Sequence, residues 1–161
     1  MIEKMVEKMT IFYKGNKHDI AHFLKVWGWA RTLGKMEGLD EYTQNLLEMS
    51  AVVHDIACPL CREKYGNANG KYQELESAAL LEVFLEEFDL DRKIVDRIIY
   101  NVTHHHTYTN VEGNDLQLLL EADYLVNADE GKHSIEAIRE FEKNVFKSES
   151  GKKLLERIYL I

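Results

Sequence analysis

Apolar residues recur along most of this 161-residue chain at intervals of three and four, and only one proline interrupts the pattern. Proline inside a helix removes a backbone hydrogen bond and clashes with the preceding turn, so a chain with a single proline is free to be helical almost everywhere. Leu, Glu, Lys and Ala are abundant and runs of β-branched residues are few. Straight side chains keep most of their rotamers in a helix, which adds to the same preference. The expectation is an all-α fold. With 45% of its residues hydrophobic, the chain is long enough to bury one core and too short to argue for two, so a single-domain compact helical bundle over residues 1–161 follows.

Ile2, Met5, Val6, Met9 and Phe12 share one helical face, and Gly15–Asn16 ends that segment. A second helix from about Asp19 to Met36 turns Phe23, Val26, Ala30 and Leu33 inward and stops near Gly38. Asp40 caps a third, which runs to about Ile56 with Leu46, Met49, Val53 and Ile56 in phase and carries His54–Asp55 in its last turn. Pro59 is then expected to force an exit. Residues 58–71 concentrate turn formers (Pro59, Gly66, Asn67, Asn69, Gly70) and read as a loop bordering whatever His54 and Asp55 build. Helices resume with Ala78, Leu81, Leu85 and Phe88, and again after Asp91 with Val95, Ile98 and Val102, leading into His104–His105–His106. A loop over Thr107–Asn114 precedes a helix over Leu116–Ala128; Ser134 caps the next, and Leu154, Leu155, Ile158 and Ile161 form a last short apolar face.

The net charge of −8 opposes a polynucleotide partner, because binding a phosphate backbone needs a Lys/Arg surface that releases counterions. A small phosphorylated molecule is compatible with it, since an ion and one or two local cations neutralise a phosphate inside an acidic protein. No stretch reaches the apolar length of a membrane span, and Met1–Met9 alternates charged with apolar groups, unlike a signal peptide, so a cytoplasmic protein is expected. Leftover apolar faces leave room for a homodimer.

His22, His54, Asp55 and Asp123 stand out because their spacing suits one metal site assembled from three separate helices. An ion held by imidazoles and carboxylates, with one position open, generates hydroxide from water near neutral pH, which points to hydrolysis. Successive helical residues point about 100° apart, so His54 and Asp55 share an ion only if it lies between their directions, as in a terminal turn opening on a cleft. Taken alone, a His–Asp step is an ordinary helix end.

The surroundings change that reading. The segment HDIAHFLKVWGWA contains His22 followed by Lys25–Val26 and Ala30, AVVHDIA contains the His54–Asp55 pair, and LLLEADYL contains Asp123 in an Ala–Asp step. Over roughly residues 18–131 the chain resembles the HD-domain superfamily of metal-dependent phosphohydrolases, with residues 134–161 as C-terminal helices packed on that core. The resemblance implies a helical domain in which His22, His54, Asp55 and Asp123 bind the catalytic metal, and a substrate that is a phosphate ester of a nucleotide or a related small metabolite.

Two-metal members of that superfamily add two His between the pair and the final Asp. Of the three available here, His105 continues the Val95–Ile98–Val102 face and is the best extra ligand, whereas His104 points away. His106 lies near the apolar edge, where it either steadies another ligand or meets substrate. No His falls between Asp55 and His104, which favours one ion over two unless Glu74 or Glu76 supplies an oxygen donor. Mixed His and carboxylate ligation suits Mn, Fe, Co, Ni or Zn better than Ca. Candidate phosphate contacts are Lys25, Arg62 and Lys64, with Lys71 also nearby along the chain; Tyr65, Tyr72 and Tyr108 are candidate stacking residues. Cys58 and Cys61 form a lone CxxC without a second pair, which reads as reduced thiols packing the loop. His18 and His133 read as surface residues.

The function expected is a metal-dependent phosphohydrolase working through a metal-bound hydroxide, with Asp55 orienting the water. The alternatives are a non-catalytic metal- or nucleotide-binding sensor module, an HD-type di-iron oxygenase, and a plain helical scaffold.

Overall fold

Most of the phases read above become buried faces in the structure, a computed structural model that describes residues 1–161. There are nine α-helices and no strands: α1 (Ile2–Phe12), α2 (Lys17–Met36), α3 (Glu41–Val53), α4 (Cys58–Tyr65), α5 (Gly70–Leu85), α6 (Arg92–Thr103), α7 (Asn114–Glu130), α8 (Ile135–Val145) and α9 (Glu149–Tyr159). Side-chain oxygens of Asn16, Asp40, Asp91, Ser134 and Ser148 accept from the first-turn N–H groups of α2, α3, α6, α8 and α9. Each cap satisfies a donor that the helix leaves free, so these five starts are written locally.

Two apolar clusters form the core. One joins α1, α2, α3, α5 and α6 through Met5, Met9, Phe23, Met49, Val53, Leu81, Ile98 and Val102. The other joins α2, α3, α7, α8 and α9 through Val26, Leu33, Leu47, Leu119, Leu125, Phe146 and Leu155. Helices α2 and α3 take part in both, and α3 is buried nearly all round from Leu46 to Val53. Such a helix cannot place a polar side chain without a partner. Its buried Glu48 accordingly accepts from Trp27 Nε1, Arg31 and Gln44.

A polar network ties α6 to its neighbours. Arg97 donates to Asp115 through Nε and Nη2 at 2.8 and 2.6 Å, and Asn101 Nδ2 donates to Asp115 and to Ser50 of α3. This fixes the helix that leads into His104–His106.

The segment expected to be loop over 58–71 is partly helix. Pro59 sits in the first turn of α4, where its missing N–H has no helical partner to lose, so it starts a helix instead of only ending one. Gly66, at φ +74°, closes α4 in the left-handed conformation that glycine adopts without strain. Helix α5 begins at Gly70, eight residues before the Ala78 at which the apolar pattern resumes.

Candidate metal centre

Helices α2, α3 and α7 pack mutually around the second of these clusters, and the polar residues at their crossing face one another. His22 comes from α2, His54 caps the C-terminus of α3 with Asp55 in the turn beyond it, and Asp123 lies mid-way along α7. His54 is fully buried, and the side chains of His22 and Asp123 are 7% and 6% exposed; Asp55, at 20%, is the open side.

The tautomers follow from the hydrogen bonds. His54 Nδ1 lies 2.8 Å from the carbonyl of Ala51 and His22 Nδ1 lies 2.8 Å from Glu130 Oε2. Both partners only accept, so each Nδ1 carries a proton and each ring turns its Nε2 inward. The two Nε2 atoms are 3.2 Å apart. Around them, His22 Nε2 lies 3.3 Å from both Asp55 Oδ2 and Asp123 Oδ1, and His54 Nε2 lies 3.5 Å from the same two oxygens. Asp123 Oδ1 is buried and has no hydrogen bond.

Two lone pairs and two carboxylate oxygens converging in this way repel unless a cation stands among them, and the charge pattern shows that demand. Burial disfavours a charged His22, yet Asp123, Asp55 and Glu130 outweigh it and raise the imidazole to about 9. Burial likewise works against charged Asp55 and Asp123, and the surrounding imidazoles hold both below the usual carboxylate range. In the ion-free protein a proton takes the place of a cation. The donor set therefore fits a divalent metal, with imidazole nitrogen and carboxylate oxygen as donors and Glu130 orienting a ligand through its second nitrogen.

A second group adjoins the first. His105 donates from Nδ1 to the Val102 carbonyl at 2.6 Å, leaving a buried and unpartnered Nε2 that lies 3.5 Å from Asp55 Oδ1. The His106 ring lies against His105, centroids 3.9 Å apart and planes tilted by 44°, and its Nε2 is also buried without a partner. Burial and the neighbouring His105 lower His106 to about 4, which keeps it neutral and able to ligate. Ligand atoms of Asp55, His105 and His106 lie within 4.8 Å of one another, as do those of His22, His54 and Asp123. Asp55 thus presents one oxygen to each group.

Other residues singled out in the sequence lie elsewhere or are otherwise engaged. His104 turns away from both groups, with Nδ1 on the Tyr100 carbonyl at 2.8 Å and its ring stacked on Tyr100. Glu74 belongs to neither group, because its Oε1 accepts from the His106 N–H and the Thr107 hydroxyl. Glu76 is held by Lys64 and Tyr65, which also commits Lys64 to an ion pair with α5. Lys25 pairs with Glu130 at 2.5 Å, and Arg62 pairs with Asp19. Cys58 and Cys61 are buried free thiols, and burial together with Asp55 pushes the Cys58 thiol well up. Tyr65 and Tyr72 stack on each other at 4.0 Å.

Glu130 was not singled out from the sequence. It lies seven residues, two helical turns, after Asp123 and so on the same face, and it places negative charge in the last turn of α7, where the helix dipole disfavours it. Those two signals together mark it.

No protein-family model matches this sequence, and no curated protein does. Among solved structures, a protein described as a predicted HD superfamily hydrolase, from an uncultured Thermotogales bacterium, superposes with a TM-score of 0.67 at 21% identity. The match covers 97% of this chain and 82% of that one. At that identity the likeness is one of fold: the two chains share an all-helical architecture. Within that fold, this chain's buried His/Asp groups are able to hold a metal ion.

Proposed function

We propose that this protein is a metal-dependent phosphohydrolase of the HD type, acting on a phosphate ester of a nucleotide or a similar small phosphorylated metabolite. The observation that carries this reading is the 3.2 Å approach of two Nε2 lone pairs, each fixed by a hydrogen bond at Nδ1, beside two ionised carboxylates. His22, His54, Asp55 and Asp123 would hold the principal ion, one of Mn, Fe, Co, Ni or Zn. Such an ion lowers the pKa of water and offsets negative charge developing on a phosphoryl group.

The chain's own part is positioning. Glu130 and the Ala51 carbonyl orient the two imidazoles, and Tyr13 donates to the Asp55 carbonyl at 3.0 Å, steadying the turn. Asp55 is the most exposed member, so it meets incoming water and accepts a hydrogen bond that orients it for in-line attack. Lys25 and Arg62 stay half-exposed beside their carboxylate partners and keep N–H groups free for substrate phosphate oxygens. Tyr108 is 42% exposed. Burial and the charges of Asp123 and Glu74 push its phenol up to about 12, so it stays protonated and can donate. It borders a cavity of about 400 Å³ with Thr109, Phe141 and Asn144, which offers a flat leaving group an aromatic wall.

A second reading is favoured by one observation, the Asp55 Oδ1–His105 Nε2 approach. On this reading Asp55, His105 and His106 would hold a second ion, an arrangement open to a hydrolase and to a di-iron oxygenase alike. Elemental analysis of protein purified without added metal, followed by a phosphate-release screen over a nucleotide panel, tests the set. Stoichiometric metal with phosphate release supports the hydrolase; two irons with oxygen consumption favour the oxygenase; metal without turnover favours a sensor; and absence of bound metal refutes the centre.

A further inference from the structure

The group formed by Asp55, His105 and His106 depends on a turn that follows α6 and that α6 does not itself control. Thr103 is the last residue of α6, His104 caps it with its N–H on the Asn101 and Val102 carbonyls, and His105 is tied back by its Nδ1 to Val102. His106 has no such tie to its own helix. What meets it is the first turn of α5, a segment distant in sequence. The backbone N–H of His106 donates to Glu74 Oε1 at 3.2 Å, and the hydroxyl of Thr107 donates to the same oxygen at 2.9 Å. One turn earlier, Gly70 lies close against the His106 side chain. A Cβ at that position would fall 2.6 Å from His106 Cγ, 2.7 Å from its Cβ and 2.9 Å from its Cδ2, distances that side chains do not tolerate. Gly70 has no positive φ, so the requirement for glycine there is one of space, not of backbone conformation.

Gly70 and Glu74 are one turn apart on α5 and therefore share a face. Building on the two-ion reading given above, we propose that these two residues are positioning residues for the second ion: Gly70 leaves room for the His106 ring, and Glu74 anchors the turn so that the ring's free Nε2 is held toward Asp55 and His105. Glu74 acts as a hydrogen-bond acceptor and not as a metal donor. Both donors it receives converge on a single oxygen, which a glutamine oxygen reproduces, so charge is dispensable.

Calorimetric titration with Mn²⁺ alone, checked by elemental analysis, tests this on the full chain. Wild type is expected to take up two ions. Glu74→Ala and Gly70→Ala each weaken the second ion about 10- to 100-fold, the range seen when a group holding a ligand is lost, and leave the first within about twofold. Glu74→Gln binds both ions as wild type does. Thermal unfolding of the ion-free variants is run alongside. Alanine is favoured over glycine on helix propensity, so an unstable Gly70→Ala protein reports the clash with His106, and Glu74→Ala then supplies the binding result. Two undiminished ions in both alanine variants overturn the proposal. Loss of the second ion in Glu74→Gln also overturns it, in favour of direct ligation. A wild type that binds one ion overturns it while leaving the hydrolase reading standing, whereas a wild type that binds none removes the centre altogether.

Discussion

Two buried polar clusters meet α3 one turn apart, at Ser50 and at His54, and they are built on opposite terms. Around Asp115 every close contact is a hydrogen bond: Arg97 donates twice at 2.8 and 2.6 Å, Asn101 donates at 2.9 Å, and Asn101 reaches Ser50 at 3.1 Å. Around Asp123 the contacts with His22 and His54 run from 3.3 to 3.5 Å, and the shared oxygen has no hydrogen bond. Burial costs both carboxylates desolvation, and only Asp115 recovers it through hydrogen bonds within the protein, although Asn101 Oδ1 beside it has no partner. A carboxylate met by N–H groups on both oxygens holds helices together. One set among imidazole nitrogens at 3.3 to 3.5 Å fits a cation, and the two are told apart by geometry where composition would confuse them.

The largest expected effect breaks the second cluster. Asp123→Ala is predicted to abolish stoichiometric metal and lower phosphate release by about 10³-fold or more, since the ion supplies several kcal/mol of charge stabilisation. Elemental analysis and a turnover assay check it, with the ion-free melting temperature little changed. The reciprocal experiment, Asp115→Ala, leaves metal content alone and costs about 3 kcal/mol in denaturant unfolding, the low end for a broken buried pair because Arg97 is partly exposed. The two losses should not cross over. Acid sharpens the contrast. Burial alone would raise Asp115, but Arg97 and Asn101 hold it below the usual carboxylate range. Its contribution is therefore complete above about pH 5 and is lost as pH falls through the unfolded value near 4 and below. Wild type should lose this increment of stability on acidification, and Asp115→Ala should have none of it to lose.

How much of this was legible in the chain depended on whether the controlling contact was local. Apolar phase located α1, α2, α3 and α6, and the same phase separated His105, which is buried, from His104, which is not. His22, His54, Asp55 and Asp123 stood out through their motifs, and the structure brings them to one place. The partners of Glu74 and Lys64, the 106–107 turn and Glu76, belong to tertiary packing that spacing does not record. Pro59, expected to force an exit, instead stands in the first turn of α4 and initiates a helix. The space at Gly70 is a property of two distant segments in contact, and no single-sequence pattern carries it.

A smaller effect tests whether the unsatisfied cluster is oriented or merely assembled. Glu130→Gln keeps the shape that meets His22 Nδ1 and removes the charge, with Lys25 losing its ion-pair partner. Metal affinity is expected to fall about 10- to 100-fold with stoichiometry unchanged. An unaltered affinity in a calorimetric titration would mean that α2 alone fixes the imidazole.

The smallest effect separates adjacent histidines. His105 is fully buried with its Nε2 toward Asp55, while His104 spends its Nδ1 on the Tyr100 carbonyl and its face on the Tyr100 ring. Both lie in the turn just beyond α6, and their contacts commit His105 to the centre and His104 to Tyr100. His104→Ala should therefore cost only its stacking, about 1 kcal/mol of stability, and leave metal uptake and turnover at wild-type levels. His105→Ala should weaken metal uptake. Equal losses of metal in the two variants would show that the turn after α6 rearranges when the ion enters, and the distinction between a group that packs and a group that ligates would then fail at this position.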